Sequence, residues 1–219
     1  MALSDILTDP DSFFDQQATE PSWFIPIVLV MTTSFLAAIA ASPGAELSGE
    51  AMSMVVDHQT QDANQTLQNV FATGTMVIAV GWTFIETLAG WLLYAVAFYA
   101  IAHFGFEGSG TFTDTIALTG WGYVPAVVNQ TIAAVASYTV FGGVSLPESP
   151  YAAQETVAEL QSDPILLASG IIGLALLAWS GVIWTYAMAK LHDLSRRDAA
   201  ITAGIPVAFI MLTRINGIV

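Results

Sequence analysis

The stretch PILLASGIIGLALLAWSGVIWTYAMAKLHDLSRRDAAITAGIPVAFIMLTRINGIV, residues 164–219, decides the fold. Two apolar runs are parted by a short polar turn, KLHDLSRRD, at 190–198. Each run reaches the ~20 residues that a helix needs to cross ~30 Å of hydrocarbon. The turn holds Lys190, Arg196 and Arg197, three of the chain's four Lys and Arg residues. Cations gather at cytoplasmic helix ends because carrying them across the bilayer is costly. The turn is therefore predicted to face the cytoplasm.

Working outward, three more segments are apolar enough to cross: 23–42, 75–101 and 116–141, besides 164–189 and 199–218. In lipid the backbone must satisfy its own hydrogen bonds, and no barrel-like alternation occurs, so the spans are helices. The expected class is an all-α polytopic membrane protein in a single domain, residues 1–219. Parity from the basic turn puts the N-terminus inside and the C-terminus outside. The N-terminal 22 residues hold five acids and no base, unlike a cleaved secretory signal, so the first span is expected to stay as an anchor.

Local signals support this frame. Pro43-Gly44 is expected to end the first span. Segment 46–74 has apolar residues near helical spacing and reads as an external amphipathic helix leading into the second span. Ser149-Pro150 opens a short external helix at about 150–161, and Ser162-Asp163-Pro164 caps the fourth span. Ser195-x-x-Asp198 fits a capping box. Trp23, Trp121, Tyr123, Trp184 and Tyr186 lie near span ends, as interfacial aromatics do. Small residues such as Gly170, Gly173 and Gly181 allow close helix packing.

Composition bounds function. Hydrophobic residues make up 55% of the 219, and charged residues only 10%. The net charge is −14, from 18 acids against 4 bases, spread over every extramembrane segment. That pattern points to very high salt, where screening acts over only ~3 Å near 1 M, and hence to a halophile, an archaeon included. No basic patch exists to meet phosphates, so nucleic acid is not an expected partner. Cysteine is absent, which removes disulfides, thiolate metal sites and thiol nucleophiles. No hydrolase, zinc-protease or phosphate-loop motif occurs, and no enzyme activity, cofactor or metal is expected.

Ionisable groups inside spans are costly and mark candidate sites. Glu86 lies ~22 Å above the cytoplasmic end of the second span, Asn129 and Gln130 ~20 Å up the third, and Arg214 ~24 Å up the fifth, at 1.5 Å per residue. These depths suggest a polar cluster in which Arg214 pairs with Glu86 and an amide fills the leftover bonds. In the competing reading Arg214 snorkels outward and Glu86 is neutral or faces water. Asn64-Gln-Thr66 is a glycosylation sequon in a predicted external segment.

Three stretches together resemble the Yip family of Ypt/Rab-interacting membrane proteins. LTDPDSFFDQQATEPSWFIP (7–26) is similar to its Pro-x-x-Phe-Phe lead-in, and AKLHDLSRRDAA (189–200) to the turn before its last span. FEGSGTFTDTIALTGWGYVP (106–125) resembles its Gly-rich cytoplasmic loop, with Gly108, Gly110, Gly120, Tyr123 and Pro125. On the residues alone, Gly108 and Gly110 permit a tight turn. Thr113 or Asp114 can cap the third helix, and Gly120, Gly122 and Pro125 weaken it two turns in. The resemblance implies a non-enzymatic, multi-pass cell-membrane protein, a scaffold or accessory subunit. Its expected partners are lipid, other membrane proteins or further copies of itself. A Rab GTPase is not an expected partner, because the long cytoplasmic region of eukaryotic members has no counterpart here. The alternative is a transporter or channel component using Glu86.

Overall fold

The computed structural model describes residues 5–60 and 65–216. Every regular element among them is helical. In order they are α1 (Asp5–Thr8), α2 (Pro10–Thr19), α3 (Phe24–Thr60), α4 (Gln65–Ala100), α5 (Phe112–Thr119), α6 (Val124–Phe141), α7 (Pro150–Gln161), α8 (Pro164–Leu191) and α9 (Arg196–Asn216). A π-helical turn, Ile101–Gly105, prolongs α4, and a 3-10 turn, Gly120–Tyr123, joins α5 to α6. Five helical segments are long and apolar enough to cross a membrane: Phe24–His58, Thr73–Gly105, Phe112–Phe141, Pro164–Leu191 and Arg196–Ile215. The all-α polytopic class and the number of spans stand as expected.

Three local expectations are corrected. Pro43-Gly44 does not end the first span, because α3 continues through it to Thr60. Pro43 cannot donate to the carbonyl of Ile39, which would cost the helix a bond. The Ser42 hydroxyl donates to that carbonyl instead, at 2.9 Å. Segment 46–74 does not stand apart from the first span: its residues up to Thr60 prolong α3, and those from Gln65 belong to α4. Asn64 lies outside the described residues. The third correction concerns the α5 cap, which is Thr111 rather than Thr113 or Asp114. The Thr111 hydroxyl accepts from the Asp114 N–H at 3.2 Å and donates to the Asp114 carboxylate at 2.6 Å.

Two other caps follow the sequence, whereas Ser149 at the start of α7 makes no side-chain cap bond. Asp163 accepts from the Ile165 N–H at 2.7 Å, next to Pro164 at the first helical position. Ser195 and Asp198 form the same reciprocal arrangement at α9, with Ser195 donating to the carboxylate at 2.6 Å.

The chain divides into two compact units. The first comprises 1–33, 87–129 and 172–219. Its core joins Phe13 and Phe14 of α2, Phe98 of α4, Trp121 and Tyr123 of the 3-10 turn, and Trp184 and Met188 of α8. The second comprises 34–86 and 130–171. There α7 lays Ala153 and Val157 on Leu47 and Ala51 of α3 and on Val140 and Phe141 of α6. Gly44 lets the Phe141 ring approach α3, 3.4 Å from where a Cβ would stand.

Candidate functional site

The most elaborate local structure lies in the first unit, where the third span breaks. Pro125 cannot donate to the carbonyl of Trp121, so the Val124 N–H takes it with the tighter spacing of a 3-10 turn. Gly120 likewise donates to Ala117 and Leu118 rather than four residues back. Carbonyls at the end of α5 thus lose their helical donors. Two tryptophans replace them. Trp91 donates its indole N–H to the carbonyl of Ile116 at 3.0 Å, and Trp184 donates to that of Thr119 at 2.7 Å. A helix break at membrane depth persists only where other groups satisfy the backbone, and these indoles do so.

The glycines of 106–125 leave room for this arrangement. A Cβ on Gly122 would stand 2.1 Å from Trp184 Nε1, and one on Gly120 would stand 2.6 Å from Pro26 Cβ. Gly108 and Gly110 serve closeness rather than turning. Neither has a positive φ, and the left-handed residue of the loop is Glu107, at φ 57°. A Cβ on Gly108 would meet the His192 Cβ at 2.9 Å, and one on Gly110 would meet Leu191 Cγ at 2.8 Å.

His192 ties the loop to the turn after α8. Its carbonyl accepts from the Ser109 N–H at 3.2 Å. Thr115 donates its hydroxyl to the carbonyl of Thr111 at 2.8 Å, so it accepts from His192 Nε2–H at 3.0 Å. That assignment leaves Nδ1 unprotonated and buried, with no hydrogen bond from the described residues. Burial, with a smaller contribution from His103, pulls the imidazole pKa down to about 4, so the ring is neutral at pH 7. His103 stacks on Tyr99, centroids 5.1 Å apart, and its Nδ1 lies 3.3 Å from the carbonyl of Gly108.

The basic turn has partners that the sequence reading did not assign. Lys190 bridges Asp11 at 3.1 Å and Asp15 at 2.7 Å, and Arg196 pairs with Asp11. The Arg196 guanidinium also lies 4.0 Å over the Tyr186 ring. Arg197 is exposed. Beneath these ion pairs, Phe13 meets Trp121 edge to face at 4.9 Å, and Phe14 is fully buried. The signal was present: five acids without a base in the first 22 residues, and a basic turn predicted on the same side.

Trp121, Tyr123 and Trp184 are core residues, 2%, 7% and 2% exposed, not the interfacial anchors expected of them. The Trp184 indole is turned inward by the carbonyl of Thr119 at the helix break, Tyr123 donates toward the carbonyl of Thr87 on α4 at 3.5 Å, and Trp121 Nε1 is buried with no hydrogen bond from the described residues.

The expected intramembrane cluster falls in both units, and each residue is placed within its own. Asn129 is half-buried in the first unit, and a Cβ on Gly173 of α8 would stand 2.7 Å from its Oδ1. Arg214 is exposed near the end of α9 in the same unit. Glu86 is exposed on α4 in the second unit, where Gln130 is half-buried. No group of three or more His, Asp or Glu side chains suited to a metal ion occurs among the described residues.

Chemically, the arrangement spends its polar atoms on its own packing, except that Trp121 Nε1 and His192 Nδ1 are buried with no hydrogen bond from the described residues. Fold and site together define a multi-pass helical membrane protein with a broken third span sealed by aromatic side chains. The chain belongs to the Yip1 domain family, whose model its residues 4–213 match. It is 32% identical over 139 residues to an uncharacterized protein of the archaeon Methanocaldococcus jannaschii, a match covering 63% of this chain and 89% of that one. No solved structure matches the chain.

Proposed function

We propose that this protein is a non-enzymatic scaffold or accessory subunit of the cell membrane, adapted to high salt, that works by holding lipid and other membrane proteins or further copies of itself. The observation that carries the reading is the fate of the 106–125 residues. Gly108, Gly110, Gly120, Tyr123 and Pro125 all serve contacts within the first unit, and the adjoining polar atoms of Thr115, Thr119, Trp184 and His192 Nε2 bond one another or backbone carbonyls. Such a region is a rigid platform rather than a reaction centre. In this reading the basic turn and the N-terminal segment face the cytoplasm, and α7 and the C-terminus lie outside. A Rab GTPase is not among the proposed partners.

The test is crosslinking of a tagged chain in native membranes at high salt, followed by purification. The reading expects a discrete complex of defined stoichiometry that contains at least one further membrane-protein chain. A monomer that turns over or moves a solute would overturn it.

A further inference from the structure

We propose that His192 is an acid-released latch: protonation of its buried ring frees the 106–111 loop from the turn that follows α8. The inference goes beyond the scaffold reading, does not rest on it, and concerns the first unit alone.

Three observations carry it. First, the loop is tied to the turn by little besides this residue. Among the described residues one backbone hydrogen bond joins the two, from the Ser109 N–H to the His192 carbonyl at 3.2 Å. The rest is close packing of Gly108 and Gly110 on Leu191 and His192.

Second, the site fits the ring only when it is neutral. His192 is 1% exposed. Its Nε2–H goes to Thr115, whose own hydroxyl proton goes to the carbonyl of Thr111. A further proton must therefore sit on Nδ1. That atom is buried with no hydrogen bond from the described residues, and the two glycines wall it in: a Cβ on Gly108 or Gly110 would stand 3.1 Å or 2.9 Å from it.

The charges around the ring do not rescue an imidazolium there. From α4 and its π-helical turn, Tyr99 lies 6.2 Å away between ring centroids, and His103 opposes a positive charge. Asp114 of α5 is turned to the Thr111 hydroxyl. On the ring's own turn and the start of α9, Lys190 and Arg196 are taken by Asp11 and Asp15, Asp198 by Ser195, and Arg197 is exposed. Glu107 and Asp193 are exposed as well. A buried, unpaired cation is costly, whereas in an opened loop water hydrates it.

Third, both arms of the latch are strained while it is shut. Glu107, at φ 57°, and Asp193, at φ 53°, hold left-handed backbone, which side chains other than glycine occupy at a cost. The closed contacts keep them there, and opening relaxes both.

The closed ring takes its proton near pH 4, and an opened one near the ordinary 6.5, so acid favours the open form as pH falls below 6.5. Between pH 7.5 and pH 5 the opening equilibrium should rise about 25-fold.

The test is amide hydrogen exchange of the full chain in lipid nanodiscs at high salt, read as protection factors so that the intrinsic pH dependence of exchange cancels. Protection of the Ser109 amide should fall about 25-fold over that range in wild type and stay constant in His192→Gln. His103→Gln should keep the fall. The Gly142 amide, bonded to the carbonyl of Tyr138 at the end of α6, should not respond. Should His192→Gln fail to fold, exchange of the ring Cε1 hydrogen of His192 in wild type reads its titration directly, with a midpoint expected near 4. The proposal is overturned by Ser109 protection that ignores pH in wild type, by a fall that survives His192→Gln, or by one abolished in His103→Gln, which would make that residue the sensor. It is also overturned by a parallel fall at Gly142, which marks unfolding of the whole chain, or by a ring midpoint at the ordinary value of about 6.5.

Discussion

Replacing Gly122 with alanine tests the packed break most sharply. The new Cβ would stand 2.1 Å from Trp184 Nε1 and 2.2 Å from its Cε2, far inside contact distance, so the indole must move. It has little room, since Trp184 is 2% exposed and packs on Tyr94 at 4.6 Å and Phe98 at 5.2 Å. Overpacking of this kind costs about 1–3 kcal/mol. A shift of the ring also breaks the 2.7 Å bond to the carbonyl of Thr119 at the helix break. A buried indole N–H left unpaired adds about 1–3 kcal/mol. The expected total is about 2–6 kcal/mol, read as a loss of thermal stability in lipid nanodiscs together with a change in tryptophan emission. Gly204 is the control: nothing stands within 4 Å of a Cβ there, and it lies within α9. Gly204→Ala should be neutral or gain up to about 1 kcal/mol from helix propensity. If Gly122→Ala is as stable as wild type while Trp184 emission is unchanged, the packing account of this break is wrong.

Other outcomes follow from the same contacts. Because the folded pKa of His192 is held near 4, below the usual 6.5, the unfolded chain binds the extra proton between those values. Stability should be complete above pH 6.5 and fall by about 2 kcal/mol by pH 5, and titrating unfolding of His192→Gln should show that component gone. The N-terminal segment is held by its phenyl rings more than by its charges. Asp11→Asn removes solvent-screened ion pairs and should change little, whereas Phe13→Ala should cost about 3–5 kcal/mol, both measurable by proteolytic release of α2. The cysteine-free sequence also makes orientation testable. A cysteine at Glu148 should react with an impermeant thiol reagent on intact cells, and one at Ser109 only after permeabilisation.

The spans were legible because lipid reduces the problem to apolar length, and residues 164–219 state it almost without ambiguity. Capping at Ser195 and Asp163 was legible for the same reason: the bonds are local. Pro43 misled, since its disruption is undone by a neighbour's hydroxyl, a side-chain choice that no hydropathy pattern carries. The aromatic residues misled differently. Composition places Trp121 and Trp184 near span ends, but only the three-dimensional break at Gly120–Tyr123 creates the carbonyl that draws Trp184 inward. The role of His192 was not legible in the sequence, because its partners Thr115 and the 106–111 loop lie far from it along the chain.

Flux through the purified protein tests the scaffold reading most directly. Wild type and Glu86→Gln, each reconstituted into liposomes loaded with ion- and solute-sensitive dyes, should both match protein-free liposomes. Flux through wild type that is lost in Glu86→Gln would contradict the account and make Glu86 part of a transport path.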